Sequence, residues 1–68
     1  MNNWQRVYKD RQEHRASIVR DVLTDREIEA VMVNKKDSMY GFGYFEVQVP
    51  ADDVILAIKI IEENINFE

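Results

Sequence analysis

The chain has no cysteine, one histidine, one proline and two glycines in its 68 residues. Without cysteine there is neither a disulfide framework nor a thiolate metal site. A single histidine, His14, cannot build a histidine-based zinc centre within one chain. No segment approaches the roughly 18 apolar residues of a membrane helix. The opening MNNWQRVYKD has no apolar run of the kind a secretion signal needs. The expectation is a cytoplasmic protein with no membrane contact. Basic residues are the minority, 9 against 13 acidic, for a formal net charge of −4. Such a chain is repelled by phosphate backbones and anionic lipid unless a local patch reverses the sign, which weighs against nucleic acid as a partner.

Internal repeats, low-complexity tracts and linkers are also missing, so the whole chain, 1–68, reads as one domain. A domain this short buries only about 60% of its unfolded surface. Small domains are commonly reinforced by disulfides, metals or oligomerisation. With no cysteine and no metal cofactor indicated, the expectation is a homodimer.

What is present is a strong pattern of elements. Asn3 to Lys9 is rich in aromatic and β-branched types and reads as a strand, with Gln5 and Val7 on one face and Trp4, Arg6 and Tyr8 on the other. Asp10 to about Asp25 reads as a helix, with Asp10 as N-cap and Glu13 as its capping-box partner. Ala16, Val19, Val22 and Leu23 share one helical face, and Ile28 should fold back onto the core. Glu29 to Asn34 is a second strand, apolar on both faces, so alternation does not assign its inner side. Lys35 to Gly43 is a loop holding both glycines. Tyr44 to Val49 is the clearest strand: Phe45, Val47 and Val49 alternate with Tyr44, Glu46 and Gln48.

Pro50 stops that strand, and Asp52 and Asp53 suit the positive end of a second helix. Val54, Ala57, Ile58, Ile61 and Ile65 make its core stripe, leaving Ile55, Leu56 and Ile60 outside it. The tail NINFE is either a short fourth strand or a frayed helix end. The order strand, helix, strand, strand, helix implies a right-handed crossover whose gap the third strand fills, antiparallel to both neighbours. That is an α+β, ferredoxin-like split βαβ plan with both helices on one face. The other face should display Trp4, Tyr8, Tyr44, Glu46 and Gln48.

Several groups of residues invite a functional reading. Trp4, Tyr8 and Tyr44 could stack on a small ligand or form a dimer interface, or simply shield a thin sheet from water. The stretch GFGYFEV, Gly41 to Val47, is similar to the strand-three motif of RNA-recognition domains, which offers single-stranded RNA binding through Phe42 and Tyr44 as the alternative function. Tyr40 replaces its leading basic residue and Val47 its final aromatic. Lys35, Lys36, Asp37 and Ser38, beside the glycines, could hold an anion, though without phosphate-loop spacing. The usual behaviour of charged connections favours a solvated hairpin loop instead. His14 with Glu13 or Asp10 is the nearest approach to an acid–base pair; a lone histidine on a polar helix face more often meets solvent, and no nucleophile has a matched base. Ile55, Leu56 and Ile60 pack either on the first helix or on another chain.

One resemblance spans nearly the whole length. Trp4, Val7 and Tyr8, then Ala16 and Leu23, then IEAVMVNKKDS from Ile28 to Ser38, then Tyr40, Phe42 and Gly43, EVQV from Glu46 to Val49, and Asp53 and Ala57 together resemble a small bacterial family labelled "putative signal-transducing protein", in its Bacteroidetes-type members. The run from Asn34 to Ser38 with Phe42-Gly43 is its most specific part. The resemblance implies a ferredoxin-like fold related to the PII regulators. It implies no activity and no nucleotide binding, since the long PII effector loop has no counterpart here. Taken together the sequence suggests a non-enzymatic binding or regulatory module without cofactor, acting as a homodimer on an unknown protein partner or small ligand. Trp4, Tyr8 and Tyr44 and the loop from Lys35 to Phe42, including Tyr40, are its expected contacts.

Overall fold

The computed structural model describes residues 3–37 and 42–67. Strand β1 (Trp4–Asp10) leads to helix α1 (Glu13–Asp25), then to strands β2 (Val31–Asp37) and β3 (Phe42–Pro50). A single 3₁₀ turn, Ala51–Asp53, follows, and helix α2 (Val54–Asn64) closes the order. The sheet order is β1-β3-β2, with β3 antiparallel to both neighbours. This is the split βαβ, ferredoxin-like arrangement that the element order predicts.

β3 organises the rest. Val47 and Val49 point to one side of it and are fully buried. They share one core cluster with Ala16, Val19 and Leu23 of α1 and with Ala57 and Ile60 of α2. Both helices therefore cover the same face of the sheet. Pairing of Met32 with Val47 settles the inner side of β2: Met32 faces the helices and Val31 and Val33 face away.

α1 starts later than the capping pattern predicts. Asp10 is the last residue of β1, and Gln12 occupies the N-cap position without a side-chain cap bond. Asp10 instead accepts the Gln12 backbone N–H through Oδ1 at 2.9 Å, so its carboxylate turns the chain two residues before the helix. The other end follows expectation. Ile28 N–H donates to the Leu23 carbonyl at 3.0 Å and Glu27 N–H to Thr24 at 2.9 Å. This is a Schellman closure with Glu27 left-handed at φ 66°. It drops Ile28 into the core beside Leu23.

The connection between β2 and β3 is shorter than the sequence suggests. Lys35, Lys36 and Asp37 belong to β2, pairing with Tyr44, Gly43 and Phe42. Ser38, Met39, Tyr40 and Gly41 lie outside the described residues.

α2 is rotated relative to the predicted stripe. Ile60 is 5% exposed while Ile58 is 40% exposed, the reverse of the expectation. Apolar residues cover so much of this helix that their spacing points in no single direction. Packing against α1 and β3 chooses Ala57 and Ile60, with Val54 and Ile61 at the flanks. The helix ends at Asn64, and Ile65 continues as extended coil rather than a fourth strand. Ile65 and Phe67 still pack against the core.

Candidate functional site: the open face of the sheet

The face away from the helices is set by register. Arg6, Gln48 and Val31 form one row across the sheet, and Lys9, Glu46 and Val33 the next. Tyr44 with Lys35 lies beyond them, and Trp4 opposite Pro50 lies at the other end.

Tyr8 is not on this face, contrary to the alternation of the first strand. Arg6 pairs with Gln48 and Tyr8 with Val47, leaving Val7 as the extra residue of a β-bulge. The bulge turns both Val7 and Tyr8 toward the helices, where they pack against the core. The Tyr8 ring sits 6.4 Å from that of Phe67. Its hydroxyl donates to Asp10 Oδ2 at 2.7 Å. Burial, reinforced by the hydrogen bond to Asp10 and by its charge, pushes the Tyr8 phenol up to about 12.

The proposed aromatic platform is thereby divided. Trp4 and Tyr44 remain on the open face, but β3 positions 44 and 50 are separated by about 20 Å at a strand rise of about 3.4 Å per residue. They cannot sandwich one small ligand. Lys9 Nζ lies 5.4 Å from the Tyr44 ring centroid, so this ring already holds a cation.

Glu46 occupies the centre of the face yet is only 6% exposed. Its neighbours on the same side cover it. Arg6 Nη1 donates to Oε2 at 3.2 Å and Gln48 Nε2 to Oε1 at 3.0 Å, so both carboxylate oxygens are engaged. Burial pushes the carboxyl up, but the hydrogen bonds from Gln48 and Arg6 and the charges of Lys35 and Arg6 outweigh it. The net effect holds Glu46 below the ordinary glutamate value.

The lysine pair does not converge. Lys35 and Lys36 are consecutive strand residues and project to opposite faces, Lys35 to the open side and Lys36 to the helix side. Lys35, Lys36 and Asp37 therefore belong to a strand and not to the loop expected from the sequence, and strand pairing uses their backbone. Asp37 and Phe42 end the ladder as a backbone pair. Ser38 and Tyr40, expected contacts of the loop, lie outside the described residues.

Sequence reasoning missed the set that does converge. Arg6, Lys9 and Lys35 surround Glu46. The Arg6–Glu46 pair was visible as two open-side positions of neighbouring strands. Lys9 was not, because only the bulge brings it to this side.

His14 is exposed on α1. The backbone N–H of Gln12 chiefly holds the Asp10 carboxyl low; burial opposes this, while the Tyr8 hydroxyl and the charges of Arg15 and His14 add to it. Arg15 approaches Asp10 Oδ2 at 3.9 Å and lies over the Phe67 ring at 5.0 Å. This cluster ties the tail to the start of α1. Among the described residues no group of three or more His, Cys, Asp or Glu side chains is placed to hold a metal ion. No helix among them is long and apolar enough to cross a membrane.

No curated protein and no solved structure matches the chain. One family model does match, over residues 4–65, which takes in all three strands and both helices. The chain belongs to that bacterial family of unknown function, described as "putative prokaryotic signal transducing protein".

Proposed function

We propose that the chain is a non-enzymatic regulatory module that acts by binding, works as a homodimer, and meets an acidic segment of a partner protein with its open sheet face. The sign of that face carries the reading. Among its described side chains Arg6, Lys9 and Lys35 are cationic and Glu46 alone is anionic. The chain as a whole is acidic, at −4. Charges are felt over a screening length of about 8 Å at physiological salt. A short acidic segment lying on the patch meets its cations at close range, whereas a long polyanion also meets the acidic remainder and is repelled. Val31, Val33 and Trp4 offer apolar surface beside the cations. Glu46, with both oxygens engaged, holds Arg6 in place.

A regulatory role agrees with the family description. The absence of a matched nucleophile and base in the sequence favours binding over catalysis, as does the use of both Asp10 oxygens in turn and core contacts. The RNA-binding alternative loses support from Tyr8, whose ring would have supplied the stacking partner on β1 and lies under the sheet instead.

Trp4 is the only tryptophan and sits on the proposed surface, so its fluorescence reports occupancy. Titration with Glu/Asp-rich peptides should change that emission, with affinity falling as salt rises. Replacing Lys9 and Lys35 by Glu should abolish the response. Saturable binding of single-stranded oligonucleotides in preference to the peptides would transfer the assignment to RNA, and no response to any acidic peptide would remove the open face from the reading.

A further inference from the structure

α2 carries a surface that its own chain leaves uncovered. Ile55 is 85% exposed, Leu56 51% and Ile58 40%. Isolated apolar side chains on a surface are ordinary, but these three lie together on little more than one helical turn. The inward face of α2 is Ala57 and Ile60 together with Val54 and Ile61, which also pack against the core. At helical spacing Ile55 and Lys59 then point directly outward, with Leu56 and Ile58 on either side. Asp52, in the turn before the helix, is exposed at its N-terminal end.

We propose that this strip is the seam of the homodimer, with α2 of one copy lying antiparallel on α2 of a second about a two-fold axis between Ile55 and Leu56. The proposal rests on the homodimer in the reading above and adds where the copies meet. The strip is self-complementary about that axis. Asp52 stands three residues before Ile55 and Lys59 three residues after Leu56, so the two-fold sets Asp52 of each copy against Lys59 of the other. Both side chains are exposed, and neither forms an ion pair among the described residues. Ile55 and Leu56 of the two copies meet at the centre, giving an apolar middle with a charged rim.

The open sheet face is unsuited to the same role. A two-fold there would set a cationic patch against itself, and like charges placed together repel. The helix seam also leaves that face free for an acidic partner. One pair of 11-residue helices covers less than the roughly 800 Å² per partner of a standard stable interface. The dimer should therefore dissociate on dilution rather than be permanent.

Sedimentation analysis from low micromolar to millimolar protein tests the seam. The wild type should pass from monomer to dimer across that range, without larger species. Ile55→Glu should raise the dissociation constant by about a hundredfold or more. Its circular dichroism should stay unchanged, because Ile55 lies outside the core. Asp52→Lys and Lys59→Asp should each weaken the dimer about three- to tenfold, and the two combined should restore it. A dimer indifferent to Ile55→Glu would place the contact elsewhere and overturn the seam while leaving the homodimer intact. Failure of the double exchange to restore what each single change lost would overturn the antiparallel register. A monomer at every concentration would remove both the seam and the homodimer, with the peptide response of Trp4 unaffected.

Discussion

Glu27 is the non-glycine residue with positive φ among the described residues, and it sits where helices most often end in glycine. Its Cβ makes that conformation costly, by about 1–2 kcal/mol for an ordinary L-residue. Glycine relieves this but brings its own entropic cost of roughly 0.5–1 kcal/mol. Glu27→Gly should therefore stabilise the fold by about 0.5–1 kcal/mol. A domain of this size gains about 4–8 °C in melting temperature per kcal/mol, which calorimetry would register. Tyr8 makes a prediction at the alkaline end. Its phenol titrates at about 12 when folded, against about 10 when unfolded. The raised value means its contribution is complete below about pH 10 and is lost as pH climbs toward the folded value. Denaturant titrations at neutral and strongly alkaline pH should show a smaller alkaline loss for Tyr8→Phe than for wild type. Absorbance of tyrosinate should lose its latest-titrating step in that variant. Glu46 acts at the other end of the scale. Its folded value is depressed, so its contribution is present above the ordinary carboxylate range, about pH 4, and disappears as pH falls through the lower folded value. Glu46→Gln should flatten the acid side of the stability–pH profile within that window, and an unaltered profile would mean that the Arg6 and Gln48 contacts are not maintained in solution.

At the scale of elements, α2 and β1 carry the clearest tests. Ile60 is buried and Ile58 is exposed over about two fifths of its surface, although the two isoleucines are chemically identical and two residues apart. Truncating a buried isoleucine to alanine leaves a cavity and costs about 2–5 kcal/mol, whereas an exposed one costs under about 0.5 kcal/mol apart from helix propensity. Urea unfolding of Ile60→Ala and Ile58→Ala, in monomeric conditions, should separate by about 1.5 kcal/mol or more. Equal losses would return the helix to the orientation its apolar spacing suggested. In β1 the bulge at Val7 does the comparable work. It places Tyr8 with the core and lets Arg6 and Lys9 share the open side, although strict alternation would put residues 6 and 9 on opposite sides.

At the scale of the whole molecule, two thin layers separate two chemistries. The Cα envelope measures 35 × 35 × 15 Å, the thickness of one helix layer on one sheet. A layer this thin leaves both its outer surfaces available, one cationic in its described side chains and one carrying the exposed apolar strip of α2. The element order, the central place of β3 and the inward side of Val47 and Val49 were determined by the sequence alone. Period-two and helical spacing, Pro50, and a crossover of fixed hand leave few other ways to bury those residues. So was the family, which the runs from Ile28 to Ser38 and from Glu46 to Val49 already suggest. The tertiary structure decided what spacing cannot encode: one extra residue in a strand, the rotation of a helix apolar nearly all round, and the side of a strand apolar on both faces. Each depends on which neighbour is present across the sheet or the core, and neighbours distant in sequence meet only in the folded chain.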